Sequence, residues 1–141
     1  MMLKTMILMA GSWLGVAMMV HSEEKEVKTV VQQFIAGGDH QSVDELEPLL
    51  HAQFRVIWNN TAEAKVSPLD RAAYLDLIGK KVIGGDSRKL TVERVVIHKG
   101  VNATVLAKSV GEKATFYHSF GLVNTAAGWQ LVADLMYMEA K

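Results

Sequence analysis

The chain of 141 residues contains no cysteine. Disulfide staples, thiolate nucleophiles and thiol redox chemistry are therefore excluded, and stability must come from packing. Net charge is missing too: 15 basic and 15 acidic residues leave a formal balance of +0. With no basic cluster to break that neutrality, nucleic acid and anionic membrane are not expected as partners. Metal-ligand spacing of the His-x-x-x-His kind does not occur. His40, His51 and His98 stand singly at loop or turn boundaries, so no metal and no cofactor are expected. The sequence has no glycine-rich phosphate loop, no nucleophile elbow, and no serine set beside a histidine by local spacing. Internal repeats and low-complexity stretches are also lacking.

What is present begins with an apolar run. Thr5 to Val20 is uncharged for about 16 residues, short of the roughly 20 that a membrane-spanning helix needs. Lys4 precedes it, and Val20-His21-Ser22 supplies small-to-medium residues before Glu23, the pattern of a cleaved signal peptide. Residues 1–22 therefore read as a leader and 23–141 as one exported domain, periplasmic or secreted from a bacterium, with no membrane attachment after cleavage. Lys4 is the leader's single charged residue, so the remaining domain carries about one net negative charge. It is long enough for a single core.

Along that domain, Val27, Val30, Val31, Phe34 and Ile35 recur at helical spacing and predict an amphipathic helix that Gly37-Gly38 should stop. Ser42-Val43-Asp44-Glu45 has capping-box spacing and predicts a second helix, kinked or restarted at Pro48. Phe54 to Trp58 reads as a strand with Phe54, Val56 and Trp58 on one face. Ser67-Pro68-Leu69-Asp70 predicts the start of a third helix, capped by Ser67 and ending at Gly79. Leu90–His98 and Ala103–Val110 read as strands with apolar residues on both faces.

Phe116 to Tyr137 reads as the closing hairpin. A four-residue loop, Asn124 to Ala127, would set Leu122 opposite Trp129, Phe120 opposite Leu131 and His118 opposite Ala133. In that register Asp134 points away from the apolar face and His118 has no carboxylate partner. Helices followed by a run of antiparallel strands predict an α+β fold with the helices on one face of the sheet.

These elements resemble the nuclear transport factor 2-like superfamily, and more narrowly the bacterial exported type described as putative lumazine-binding or SnoaL-like. The resemblance rests on the opening helix through Gly37-Gly38-Asp39, on Leu49-Leu50-His51 running into the Phe54 strand, and on Ser67-Pro68-Leu69-Asp70-Arg71-Ala72-Ala73-Tyr74. The closing Phe-x-His-x-Phe-x-Leu and Gly-Trp-x-Leu-Val complete it. It implies a cone, with N-terminal helices packed in the concave face of a curved antiparallel sheet, a pocket between them, and dimerisation through the sheet. One chemistry is not implied, because such folds host enzymes and plain binders alike.

The candidate pocket residues are Trp58, Tyr74, His118 and Phe120, which pair apolar bodies with few polar groups. The first functional reading is a non-catalytic small-molecule-binding or accessory module taking an apolar or aromatic ligand. The alternative is a small isomerase- or dehydratase-like enzyme with His118 as general acid/base and Tyr74 polarising a carbonyl or hydroxyl. A protein-interaction module using the sheet face is the third. Two-faced apolar strands also predict a homodimer through the convex face.

Overall fold

A computed structural model describes the backbone of residues 2–141 and the side chains of residues 21–141. The leader's side chains up to Val20 thus lie outside the described residues. Among the described residues, no helix is long and apolar enough to cross a membrane.

The opening helix, α1 (Met2–Asp39), buries Val27, Val31, Phe34 and Ile35 as its spacing predicts. It does not stop at the glycine pair. Gly37 is helical and serves close packing instead, since a Cβ there would stand 2.8 Å from Leu46 Cδ2. The reversal comes later, at Gln41 with φ 51. Ser42 caps α2 (Val43–Leu46) by accepting the Glu45 N–H at 3.2 Å, and Pro48 diverts the chain into a 3₁₀ turn, Glu47–Leu49.

Strand β1 (Leu50–Asn60) is followed by β2 (Lys65–Asp70), whose Ser67-Pro68-Leu69-Asp70 the spacing predicts as a helix start. Ser67 and Pro68 are strand residues, paired with Trp58 and Ile57. The cap of α3 (Arg71–Gly79) is Asp70, whose carboxylate accepts the Ala73 N–H at 2.8 Å. Proline is tolerated at 68 because β2 is an edge strand, where a missing N–H breaks no inner ladder.

Four further strands complete the sheet: β3 (Lys89–His98), β4 (Asn102–Val110), β5 (Ala114–Thr125) and β6 (Gly128–Ala140). Their order is β2-β1-β6-β5-β4-β3, with β1 and β6 parallel and the other pairs antiparallel. The helices pack on one face, as an α+β cone requires.

Two bulges decide which side chains face the helices. In β3 the register shifts between Val92 and Arg94. Leu90, Val92, Val95 and Ile97 consequently all pack against the core, so most of the two-sided apolar character of this strand is one face with a slip in it. In β6 the shift falls between the pairs Leu122↔Leu131 and Gly121↔Ala133, leaving Val132 as the extra residue. Trp129 and Leu131 point inward before it, and Asp134 points inward after it. The hairpin closes through Ala126-Ala127 between the paired Thr125 and Gly128, so the four-residue loop and its register are both overturned. Observed pairs are Leu122 with Leu131, Phe120 with Asp134 and His118 with Met136.

Candidate functional site

The floor of the cone is aromatic. Phe34 on α1 meets Phe54 on β1, Tyr74 on α3 and Phe120 on β5, with ring centroids 5.7–5.8 Å apart. Edge-on and offset contacts of this kind each contribute about 0.5–1.5 kcal/mol beyond area burial. Above this floor, between α1, α3, the segment 82–88 and the sheet, opens a cavity of about 410 Å³. Its walls are largely apolar, with Val56, Trp58, Phe116 and Met136 on the sheet side.

Into that wall the sheet sets a buried polar row. His118 is flanked diagonally by Ser109 on β4 and Asp134 on β6. Its Nδ1 lies 3.0 and 3.1 Å from the two Asp134 oxygens, and its Nε2 lies 2.7 Å from Ser109 Oγ. A carboxylate only accepts, so Nδ1 carries the hydrogen, and in the neutral ring Nε2 accepts the Ser109 hydroxyl. All three side chains are buried: Ser109 is 0 % exposed, His118 4 % and Asp134 3 %. The ring is sandwiched along β5, parallel to Phe120 at 4.8 Å and to Phe116 at 6.0 Å.

This row corrects the sequence reading twice. Asp134 was expected outside and stands inside, because the bulge at Val132 reverses the parity of β6. No serine was expected beside a histidine, yet Ser109 is in contact, brought there by strand pairing rather than by local spacing. Although the three residue types match a nucleophilic triad, Ser109 does not line the cavity, whereas His118 and Asp134 do. A hydroxyl sealed behind the histidine cannot attack a ligand in front of it. With both ring nitrogens engaged, the member with unused capacity is Asp134, since one N–H leaves most of its carboxylate lone pairs open.

Opposite the row sits Tyr74. Burial first, and then the nearby Asp134 charge, push its phenol above the ordinary tyrosine value, with Arg88 opposing. The phenol thus remains a neutral O–H donor across the physiological range. Arg88, on the connection between α3 and β3, also lines the cavity. Its Nε donates to Asp39 at 2.6 Å, its backbone N–H to the same carboxylate at 2.9 Å, and its Nη2 to the Ile35 carbonyl at 3.1 Å. The guanidinium lies 5.1 Å over the Phe116 ring. At the rim, Asp86 accepts the backbone N–H groups of Ser87, Glu112 and Lys113 at 2.8–3.1 Å, tying the 82–88 segment to the β4–β5 turn. Desolvation would raise the Asp86 carboxyl, but those three donors and the Lys113 charge together hold it below the ordinary carboxylate value.

A family model described as "Putative lumazine-binding" matches residues 22–137. The chain belongs to this family. Solved structures agree on the fold. A nuclear transport factor 2-like protein of unknown function from Shewanella baltica OS155 superposes with a TM-score of 0.74 at 16 % identity, covering 85 % of this chain and 96 % of that one. One from Silicibacter pomeroyi DSS-3 gives 0.73 at 10 %, covering 85 % and 98 %. Another, from Methylobacillus flagellatus KT, gives 0.67 at 11 %, covering 84 % and 94 %. No curated protein matches the chain by sequence.

Within this lumazine-binding-type domain, three of the four sequence-derived pocket residues, Trp58, Tyr74 and His118, line the cavity together. Phe120 does not; it is 1 % exposed and backs the His118 ring. Asp134 and Arg88 line the cavity and were missed. For Asp134 no parity argument could reveal the bulge. Arg88 is joined to Asp39 across 49 positions, a separation that no local spacing rule reads. No group of three His, Asp or Glu residues is arranged to hold a metal ion among the described residues.

Proposed function

We propose that this domain binds a small, mostly apolar ring compound in the cavity, with Asp134 as the acceptor that orients it. One observation carries the reading: a buried carboxylate, steadied by His118, stands in the wall of a largely apolar cavity of about 410 Å³. Burying a carboxylate costs several kcal/mol unless it is paired and hydrogen-bonded, and His118 offers Asp134 a single N–H, leaving acceptor capacity for a ligand. Volumes of a few hundred Å³ with few convergent polar groups are what small-molecule sites have. Trp58, Tyr74 and Phe116 offer flat faces for a ring, and lumazine, which the family description names, is a planar ring compound, although a more polar one. The test is mass spectrometry of whatever co-purifies with the protein. A retained ring compound that disappears in Asp134→Ala supports the reading; equal retention by both proteins contradicts it.

A second reading is favoured by the same dyad. Asp134, positioned by His118, has the placement of a general base for an isomerisation or dehydration, with Tyr74 donating to a carbonyl or hydroxyl. His118 is then a positioning residue rather than the acid/base itself, because neither ring nitrogen is open. The leader pattern supports export, and an intact mass that begins near Glu23 is its check. The outer sheet face supports a homodimer: Ile57, Leu135 and Leu106 lie in one row across the strands, beside the Tyr117–Tyr137 ring stack at 4.6 Å.

A further inference from the structure

Gly38 stands where the cavity meets α1. A Cβ built on it would lie 2.9 Å from Arg88 Nη2 and 3.7 Å from the Tyr74 hydroxyl oxygen. Two donors on different elements thus converge beside this glycine, where both line the cavity. The backbone does not require glycine here, since Gly38 is helical and has no positive φ. Alanine would in fact favour the helix by about 1 kcal/mol. What glycine provides is room for the Arg88 tip, which a side chain at 38 would push away from the Tyr74 hydroxyl. Arg88 is also held ready. Asp39 and the Ile35 carbonyl occupy Nε and one position on Nη2, which leaves the two Nη1 hydrogens and one on Nη2 to offer. Its side chain is only 10 % exposed.

We infer that the niche over Gly38 is a carbonyl subsite: the ligand presents a neutral carbonyl oxygen there, accepting from Arg88 and Tyr74. This rests on the ligand-binding reading above and narrows its ligand class. The charges decide against a carboxylate. Asp86 and Asp134 line the cavity with Arg88 and Lys113, and Asp39 already neutralises Arg88, so acidic groups outnumber basic ones. An anion entering would meet a net negative surround, whereas a carbonyl takes the hydrogen bonds without adding charge. Asp134 then accepts a hydrogen elsewhere on the same molecule. A ring amide, with C=O and N–H on one edge, satisfies both needs. The raised Tyr74 phenol is consistent with this, because it keeps its hydrogen.

Three bicyclic probes separate the possibilities by calorimetric titration of the full domain: 2-quinolone, quinoline, and 2-naphthoate. 2-Quinolone is expected to bind at least tenfold more tightly than either of the others. One hydrogen bond to a charged donor is worth about that factor or more. In Gly38→Ala the methyl displaces the Arg88 tip, so 2-quinolone should lose most of its preference over quinoline while quinoline changes little. Tyr74→Phe, which removes one donor without filling the niche, should lose part of the same preference. Equal binding of 2-quinolone and quinoline overturns the subsite while leaving the apolar cavity as a binding site. Preference for 2-naphthoate overturns the neutral-carbonyl assignment. Binding of none of the three at millimolar concentration overturns both the subsite and the binding reading.

Discussion

Replacing His118 by Phe isolates the polar row from the packing around it. Phenylalanine fits the slot between the parallel rings of Phe116 and Phe120, so aromatic contact is kept. The Nδ1 donor to Asp134 and the Nε2 partner of Ser109 are both removed. Asp134 is 3 % exposed and Ser109 0 %, so neither finds bulk water as a substitute. Breaking a buried carboxylate pair from one side costs about 3–5 kcal/mol, and an orphaned hydroxyl belongs within the about 1–3 kcal/mol range for an unsatisfied group. A loss of about 3–5 kcal/mol is therefore expected, roughly 10–20 °C in thermal midpoint for a domain of this size. Urea unfolding followed by far-UV circular dichroism measures it. Adding Asp134→Leu should return at least half of the loss, because replacing both partners by apolar groups leaves far less unsatisfied. A His118→Phe protein within about 0.5 kcal/mol of wild type, the scatter of ordinary surface changes, would refute the hydrogen-bonded row.

Asp70→Ala removes the α3 cap and should cost about 1 kcal/mol, whereas Ser67→Ala, three residues earlier on an edge strand, should cost much less in the same unfolding assay. Tyr74 gives a pH signature. Its folded phenol lies above the unfolded value of 10.0, so its contribution to stability is complete below that pH and is lost as pH rises beyond it. The thermal midpoint of wild type should decline more steeply than that of Tyr74→Phe above pH 10. Matching slopes would contradict the buried phenol. On the outer face, Leu135 is 49 % exposed beside Leu106 at 39 %. Leu135→Asp should convert a dimer to a monomer in light scattering, and a wild-type monomer at tens of micromolar would sink the dimer proposal.

Much of the fold was legible because local chemistry matched global need. The stripe of Val27, Val31, Phe34 and Ile35, the Ser42 cap, the Pro48 restart and the inward alternation of Phe54, Val56 and Trp58 are all read from spacing alone, and all stand in the structure. Failures occurred where a signal was real but belonged to another role. Ser67-Pro68 has helix-start chemistry, yet pairing with β1 overrides it, and Asp70 has equally good capping chemistry three residues on. Gly37-Gly38 looks like a stop and is instead a pair of close approaches, to Leu46 and to Arg88. The candidate site was half legible for one reason. Period-two alternation holds until a bulge, and the single extra residue at Val132 turns Asp134 from solvent to cavity. No composition or spacing rule marks that position, so the partner of His118 was hidden although His118 itself was found.

The cavity beside Asp134 and His118 is the proposed binding site. An NMR screen of neutral bicyclic fragments against 15N-labelled protein tests it most directly, with Trp58 Nε1–H and the amides of Tyr74, Arg88, His118 and Asp134 as reporters. The expected result is a set of hits whose shift changes cluster on those signals and vanish in Asp134→Ala. Hits that map to the outer face around Leu135 and Tyr137, or that bind the variant equally well, would contradict it.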